Sequence, residues 1–271
     1  MSALATAIYR GRERVPALDP ADRGLAYGDG LFETLRVSAG RLPWWDAHLA
    51  RLANGARRLG LPAPDAAWLA GEASALLAGA PAEAVLKLVL TRGSGGRGYS
   101  APDAAVPTVV LSVHALPAPF DGPLSLRWCE TRLAPQPRLA GLKHLNRLEQ
   151  VLARAEWSDP AVHEGLMLDA AGRVTCATAA NLFALVGGRW ITPALHEAGV
   201  AGIARGWVLA NEPGATEAEL WPADVESAEA LFLCNAVRGI LPVGRLGQRT
   251  WAPHPALDDL RRRLRRDVPA F

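Results

Sequence analysis

The sequence predicts an α+β protein of one large domain or two modest ones, and three observations predict it. Alternating apolar and polar stretches are interleaved with helical periodicities along all 271 residues. A proline-rich segment, 115–123, breaks the pattern and reads as a linker. Half of the residues are apolar, enough for a sizeable core in each half. The expected division is an N-terminal domain over 1–114, the linker over 115–123 and a C-terminal domain over 124–271.

The elements follow in order. Residues 1–45 read as short strands and turns, punctuated by Gly24, Gly28, Gly30 and Gly40, and residues 31–37 alternate as a half-buried strand does. Asp46 is expected to cap a first helix over 46–60, with apolar positions at Leu49, Leu52, Ala53 and Ala56. A second helix is expected over 66–78. Strands are expected over 85–91 and 108–114, with a glycine-rich loop over 92–98 between them. Past the linker come a strand over 124–132 and a helix over 144–157. Strands over 165–169, 173–178 and 181–186 follow, then a helix over 202–210 and a buried strand over 231–235. The last helix, 256–266, puts Leu257, Leu260 and Leu264 on one face. Its five arginines read as a solvated face, because Asp258 and Asp259 can pair with them at i+4 spacing.

Composition narrows the function. A formal net charge of +2, with 21% charged residues, argues against a protein that grips phosphate backbones. No apolar run approaches the length of a membrane-spanning helix, and the N-terminus lacks the apolar stretch of a secretory signal. Cys129, Cys176 and Cys234 form no CxxC pair, so neither a disulfide framework nor a metal site is expected. A cytoplasmic protein acting on a small molecule is the expectation, with no nucleic-acid or membrane partner.

Of the 29 basic residues only Lys87 and Lys143 are lysines. Coding bias accounts for the scarcity, but a lysine can serve as an amine nucleophile where an arginine cannot. Lys87 lies in an apolar strand pattern and reads as a strand lysine with its ammonium at the solvent rim. Lys143 sits in Gly-Leu-Lys-His-Leu-Asn-Arg (141–147), after an apolar approach and before a helix, a context compatible with a functional or a structural lysine. In the loop Arg-Gly-Ser-Gly-Gly-Arg-Gly-Tyr (92–99) the glycines allow close backbone approach, and Arg97 offers a planar fork suited to a carboxylate. The spacing is neither a Walker A nor a dinucleotide fingerprint. The segment 199–205 opens a helix whose free N–H groups favour an anion, and Cys234-Asn235-Ala236 ends an apolar strand.

Together these segments resemble fold-type IV pyridoxal-phosphate enzymes, a family of branched-chain aminotransferases, D-amino-acid aminotransferases and 4-amino-4-deoxychorismate lyases. RGLAYGDGLFET (23–34) is similar to the family's N-terminal motif, and His48-Leu-Ala-Arg51-Leu52 to its next block. LKHLNRLEQVLARAEW (142–157), RGSGGRGYS (92–100), AANLF (179–183), AGVAGIAR (198–205) and LCNAVRGILPV (233–243) resemble the lyase branch. The resemblance implies a two-layer N-terminal domain, a C-terminal pseudo-barrel domain and a homodimer. It implies that Lys143 is the Schiff-base lysine and that Arg51 holds the phosphate of pyridoxal 5'-phosphate. Ile203, Ala204, Asn235 and Ala236 would bind that phosphate too. Arg97, with Tyr99 and Phe32, would meet the substrate. The implied reaction splits 4-amino-4-deoxychorismate into 4-aminobenzoate and pyruvate, a step of folate biosynthesis, with Lys143 as general base.

One position departs from the pattern. Where the family usually has a glutamate facing the pyridine nitrogen, this chain has Cys176. A neutral thiol cannot keep that nitrogen protonated, so the electron sink is expected to be weaker. That weighs most against an aminotransferase acting on D- or branched-chain amino acids and only mildly against the lyase, whose product is an aromatic ring. A third alternative is a pyridoxal-phosphate-binding protein without turnover.

Overall fold

In the computed structural model, residues 2–271 are described, and the chain divides into two compact units. The first runs up to Pro117 and includes Leu142–Asn146. The second comprises Ala118–Gly141 and Arg147–Phe271.

The first unit holds β1 (Ala5–Arg10), β2 (Glu13–Val15), α1 (Arg23–Tyr27), β3 (Gly30–Val37), α2 (Trp45–Leu59), α3 (Ala66–Leu77), β4 (Ala84–Thr91) and β5 (Thr108–Ala115). Its five strands form one antiparallel sheet in the order β2-β1-β5-β4-β3. Alternation in β3 buries Leu31, Glu33, Leu35 and Val37 on one face and leaves Phe32, Thr34 and Arg36 half-buried on the other.

Two expectations are corrected here. The stretch read as strands and turns contains α1: the Asp22 carboxylate accepts the Gly24 amide as an N-cap, and Gly28, at φ 66°, closes the helix in the left-handed region. Asp46 is not the cap of α2. The turn is made two residues earlier, by Trp44 at φ 59°, which leaves Asp46 inside the first turn, where its charge meets the helix dipole favourably.

The second unit holds β6 (Leu124–Trp128), α4 (Leu148–Arg154), β7 (Glu164–Leu168), β8 (Val174–Ala177), β9 (Asn181–Val186), β10 (Arg189–Pro193) and α5 (Ile203–Asn211). β11 (Thr216–Ala218), α6 (Pro222–Ser227), β12 (Ala230–Asn235), β13 (Gly239–Leu246), β14 (Arg249–Thr250) and α7 (Pro255–Asp267) complete it. The strands form a mixed sheet in the order β11-β10-β9-β12-β13-β6-β7-β8, with β14 on β13. The sheet curls, because β8 turns directly into β9 through a turn in which Ala177 N donates to Ala180 O at 2.9 Å. Leu126, Leu166, Leu182, Leu231 and Leu233 fill its core.

Three further corrections concern this half of the sequence. The strand expected over 124–132 ends at Trp128, because the Glu156 carboxylate takes the amides of Glu130 and Thr131, each at 2.8 Å. The helix expected over 144–157 spans only Leu148–Arg154. The residues before it are extended and bound to β3: Phe32 N donates to Lys143 O at 2.9 Å, and Leu145 N to Gly30 O at 3.0 Å. In α7 the acid–arginine pairs form at i+3, Asp258 with Arg261 and Asp259 with Arg262. No helix among the described residues is long and apolar enough to cross a membrane.

Candidate active site

The first unit gathers the N-terminal candidates around β3. Lys143 lies on the extended segment bonded to the edge of β3, rather than at the strand–helix junction expected for it. Leu31 faces His144 there in an antiparallel bridge, which puts Lys143 opposite Phe32. Its ammonium stands 4.3 Å from the centroid of the Phe32 ring. Lys87 is exposed, as expected, and its ammonium lies 5.5 Å from the same ring.

On the opposite face of β3, Glu33 is 2% exposed and binds both side chains that α2 presents. Arg51 Nε donates to Glu33 Oε1 at 2.8 Å, and Arg51 Nη2 to Glu33 Oε2. His48 Nδ1 lies 2.6 Å from Glu33 Oε2. Burial pushes the Glu33 carboxyl up, but the Arg51 and His48 hydrogen bonds outweigh it and hold the group below its ordinary range. Burial also pushes His48 down, towards the neutral form. A neutral ring facing a carboxylate must donate through Nδ1–H, which leaves Nε2 a buried acceptor without a partner among the described residues.

The glycine-rich loop is ordered from inside. Arg23 donates to four of its carbonyls, and Arg92 makes a forked pair with Asp29 at 2.7 and 3.0 Å. The Arg97 side chain is exposed and has no polar partner among the described residues, while its carbonyl accepts the Ser100 amide at 3.1 Å. Tyr99 is 88% exposed, its ring meeting the edge of Tyr27 at 5.5 Å.

The second unit brings the remaining candidates to the start of β9. Asn181 pairs with Cys234 across the β9–β12 ladder, so the end of β12, with Asn235 and Ala236, lies beside it. Asn235 Nδ2 donates to Ala179 O at 3.3 Å, while Asn235 Oδ1 accepts the amides of Val237 and Arg238. Asn181 Nδ2 donates to Val200 O at 2.9 Å, just before α5. Gly202, the N-cap of α5, packs so closely that a Cβ there would strike Asn181 Oδ1. No side chain caps α5, and Ile203 and Ala204 form its first turn. The uncapped start of α5 and the turn after β12 therefore both lie near the start of β9.

Cys176 is buried on β8 opposite Met167. Burial pushes its thiol up to about 12, against the charge of Arg147 at the N-cap of α4, so it is neutral. Glu164, at the start of β7, accepts from Thr178 Oγ1 and from the Gly165 amide at 2.9 Å. Burial nonetheless pushes its carboxyl up.

Sequence reasoning assigned no role to Arg23, Asp29, Glu33 or Glu164. The first three stand inside RGLAYGDGLFET, so the motif held the signal. Glu164 had none, since its side-chain partner, Thr178, lies 14 residues away.

A family model described as amino-transferase class IV matches residues 30–246. The chain is 35% identical to an aminodeoxychorismate lyase of Vibrio harveyi, over 88% of this chain and 89% of that one. The crystal structure of 4-amino-4-deoxychorismate lyase from Pseudomonas aeruginosa is 43% identical, with a TM-score of 0.91, covering 97% of this chain and 100% of that one. A branched-chain amino acid aminotransferase of Escherichia coli shares the fold at 20% identity, with a TM-score of 0.82 over 94% of this chain and 92% of that one.

Proposed function

The chain belongs to the amino-transferase class IV family, and from that premise we propose that it is a pyridoxal-phosphate-dependent lyase splitting 4-amino-4-deoxychorismate into 4-aminobenzoate and pyruvate. The observation that carries this reading is the likeness to the Pseudomonas aeruginosa lyase along the whole of both chains. The product would feed folate biosynthesis.

The chain's own residues suit the cofactor. The uncapped first turn of α5, kept close to Asn181 by Gly202, is a place for a phosphate. A lysine amine set over an aromatic face supplies the nucleophile a carbonyl cofactor needs. By family membership Lys143 would hold the cofactor, and Arg51, Ile203, Ala204, Asn235 and Ala236 would bind its phosphate. Cys176 would stand at its ring nitrogen. When bound, the cofactor supplies a sink for the electrons left as a proton leaves the carbon that bears the substrate's amino group.

Lys143 is the base that takes that proton. Enolpyruvate leaves with the electron pair of its C–O bond, and the six-membered ring becomes aromatic. Lys143 returns the proton to the methylene carbon of the leaving fragment, which gives pyruvate. Arg97 binds a substrate carboxylate, with Tyr99 and Phe32 beside the substrate. The neutral Cys176 thiol supplies no charge to the ring nitrogen. Formation of an aromatic product offsets the weaker sink, whereas transamination has no such drive.

The enzyme would work as a homodimer. Leu148, Val151 and Leu152, at i, i+3 and i+4 on α4, are 68%, 60% and 54% exposed, an apolar stripe suited to a second copy. All three cysteines are free and buried, which suits the reducing cytoplasm.

The test is an assay of the purified, cofactor-loaded protein on 4-amino-4-deoxychorismate. Equimolar pyruvate and 4-aminobenzoate are expected. Amino-group exchange between D- or branched-chain amino acids and 2-oxo acids, without pyruvate release from 4-amino-4-deoxychorismate, would overturn the reading in favour of the aminotransferase.

A further inference from the structure

We propose that Arg23 is a positioning residue of this reaction: its guanidinium, from behind the glycine-rich loop, sets the backbone that presents Arg97 to a substrate carboxylate. The inference rests on the reading that Arg97 binds that carboxylate.

The loop has little to shape it by itself. Gly93, Gly95, Gly96 and Gly98 all take positive φ values, and residues 95–100 are all exposed. A chain this permissive loses much entropy when ordered, so its conformation must be imposed by contacts. One side chain supplies most of them. Arg23 is 5% exposed. Its Nη1 donates to the carbonyls of Gly98 at 3.0 Å, Ser100 at 3.2 Å and Gly95 at 3.4 Å, and its Nη2 to that of Tyr99 at 3.0 Å. Its Nε donates to Asp29 Oδ2 at 3.0 Å, and Asp29 is itself gripped by Arg92. The Arg23 amide reaches the same loop, donating to Gly93 O at 2.9 Å.

These bonds fix the carbonyls on either side of Arg97 and leave its side chain unengaged. The guanidinium also lies 5.0 Å from the centroid of Tyr27, whose ring meets Tyr99. The task suits arginine. Its planar fork carries five donors in fixed directions, and all three nitrogens are used here. A lysine ammonium has three donors on one atom and cannot span four carbonyls and a carboxylate.

The experiment compares Arg97→Ala, Arg23→Lys and the double variant in the cofactor-loaded enzyme, reading KM and kcat for 4-amino-4-deoxychorismate. Arg97→Ala should raise KM about tenfold or more. Arg23→Lys should raise KM several-fold while kcat changes less than about twofold. The double variant should be no worse than Arg97→Ala alone, because Arg23 acts through Arg97. Asp29→Asn, which removes the charge that Arg23 and Arg92 share and leaves one oxygen where they use two, should shift KM in the same direction. It serves as the second variant should Arg23→Lys fail to fold. Amide exchange at residues 96–101 should quicken in both.

A folded Arg23→Lys enzyme with the wild-type KM would overturn the proposal, as would KM effects that add in the double variant. An unchanged KM in Arg97→Ala would instead remove the underlying reading of Arg97.

Discussion

The ammonium of Lys143 stands 4.3 Å from the centroid of the Phe32 ring, and the Phe32 amide donates to the Lys143 carbonyl at 2.9 Å. One residue of β3 thus fixes both the backbone and the amine of Lys143. Replacing Phe32 by Leu keeps the backbone bond and removes the aromatic face, a contact worth about 0.5–2 kcal/mol. Phe32→Leu should therefore lower kcat by about tenfold while the melting temperature falls only slightly. Steady-state kinetics beside thermal unfolding check this; an unchanged kcat would detach the ring from the amine's task.

Arg51 is held by Glu33, and that pair explains how an arginine on α2 keeps one orientation. Arg51→Ala should release cofactor on dialysis much faster than Arg262→Ala, whose residue lies on the solvated face of α7. Glu33→Ala takes the paired carboxylate away from the largely buried Arg51, at a cost of about 3–5 kcal/mol. It should also weaken cofactor retention. Equal retention in Arg51→Ala and Arg262→Ala would move the phosphate site elsewhere.

Two glutamates, Glu33 buried and Glu164 half-buried, titrate with opposite consequences. Glu33 has its carboxyl held below the ordinary 4.5, so its contribution to stability is present above that value and is lost as pH falls through the folded value. Glu164 has its carboxyl pushed above 4.5, so the native state keeps a proton that the unfolded chain gives up. Its burial therefore lowers stability as pH rises from 4.5 through the folded value. Glu164→Gln should flatten the decline on the neutral side and leave the acid limb in place. Melting temperatures from about pH 2 to about pH 8, a range that extends well to both sides of the ordinary carboxylate value, read both limbs; an unaltered neutral limb in the variant would refute the assignment.

Part of the local structure around the candidate site was legible in the sequence because neighbouring residues set it. The turn that opens α5 at Gly202, the strand end at Asn235 and the glycine-rich loop each declare themselves within a few residues. What escaped depends on distant partners. The helix expected from 144 begins at Leu148, because hydrogen bonds from β3, more than 100 residues earlier, pull Lys143 and Leu145 into an extended chain. Asp46 looked like a cap by residue type, but the left-handed Trp44 decided the turn. The motif flags Arg23 but not what it binds, since its carbonyl partners lie over 70 residues away.

Cys176 gives the prediction that separates lyase from aminotransferase chemistry. The neutral thiol should leave the wild type with little half-transamination of D- or L-amino acids. Cys176→Glu would place a carboxylate near Arg147, whose charge offsets part of its burial. That variant should gain side transamination while retaining pyruvate release. Fast transamination by the wild type would sink the inference.

The account turns on Lys143 as the lysine that holds the cofactor, and borohydride reduction of the pyridoxal-phosphate-loaded enzyme followed by peptide mapping tests it most directly. The stable phosphopyridoxyl label should fall on the peptide containing Lys143, and Lys143→Ala should take up none. A label on Lys87, the other lysine of the chain, would contradict the account.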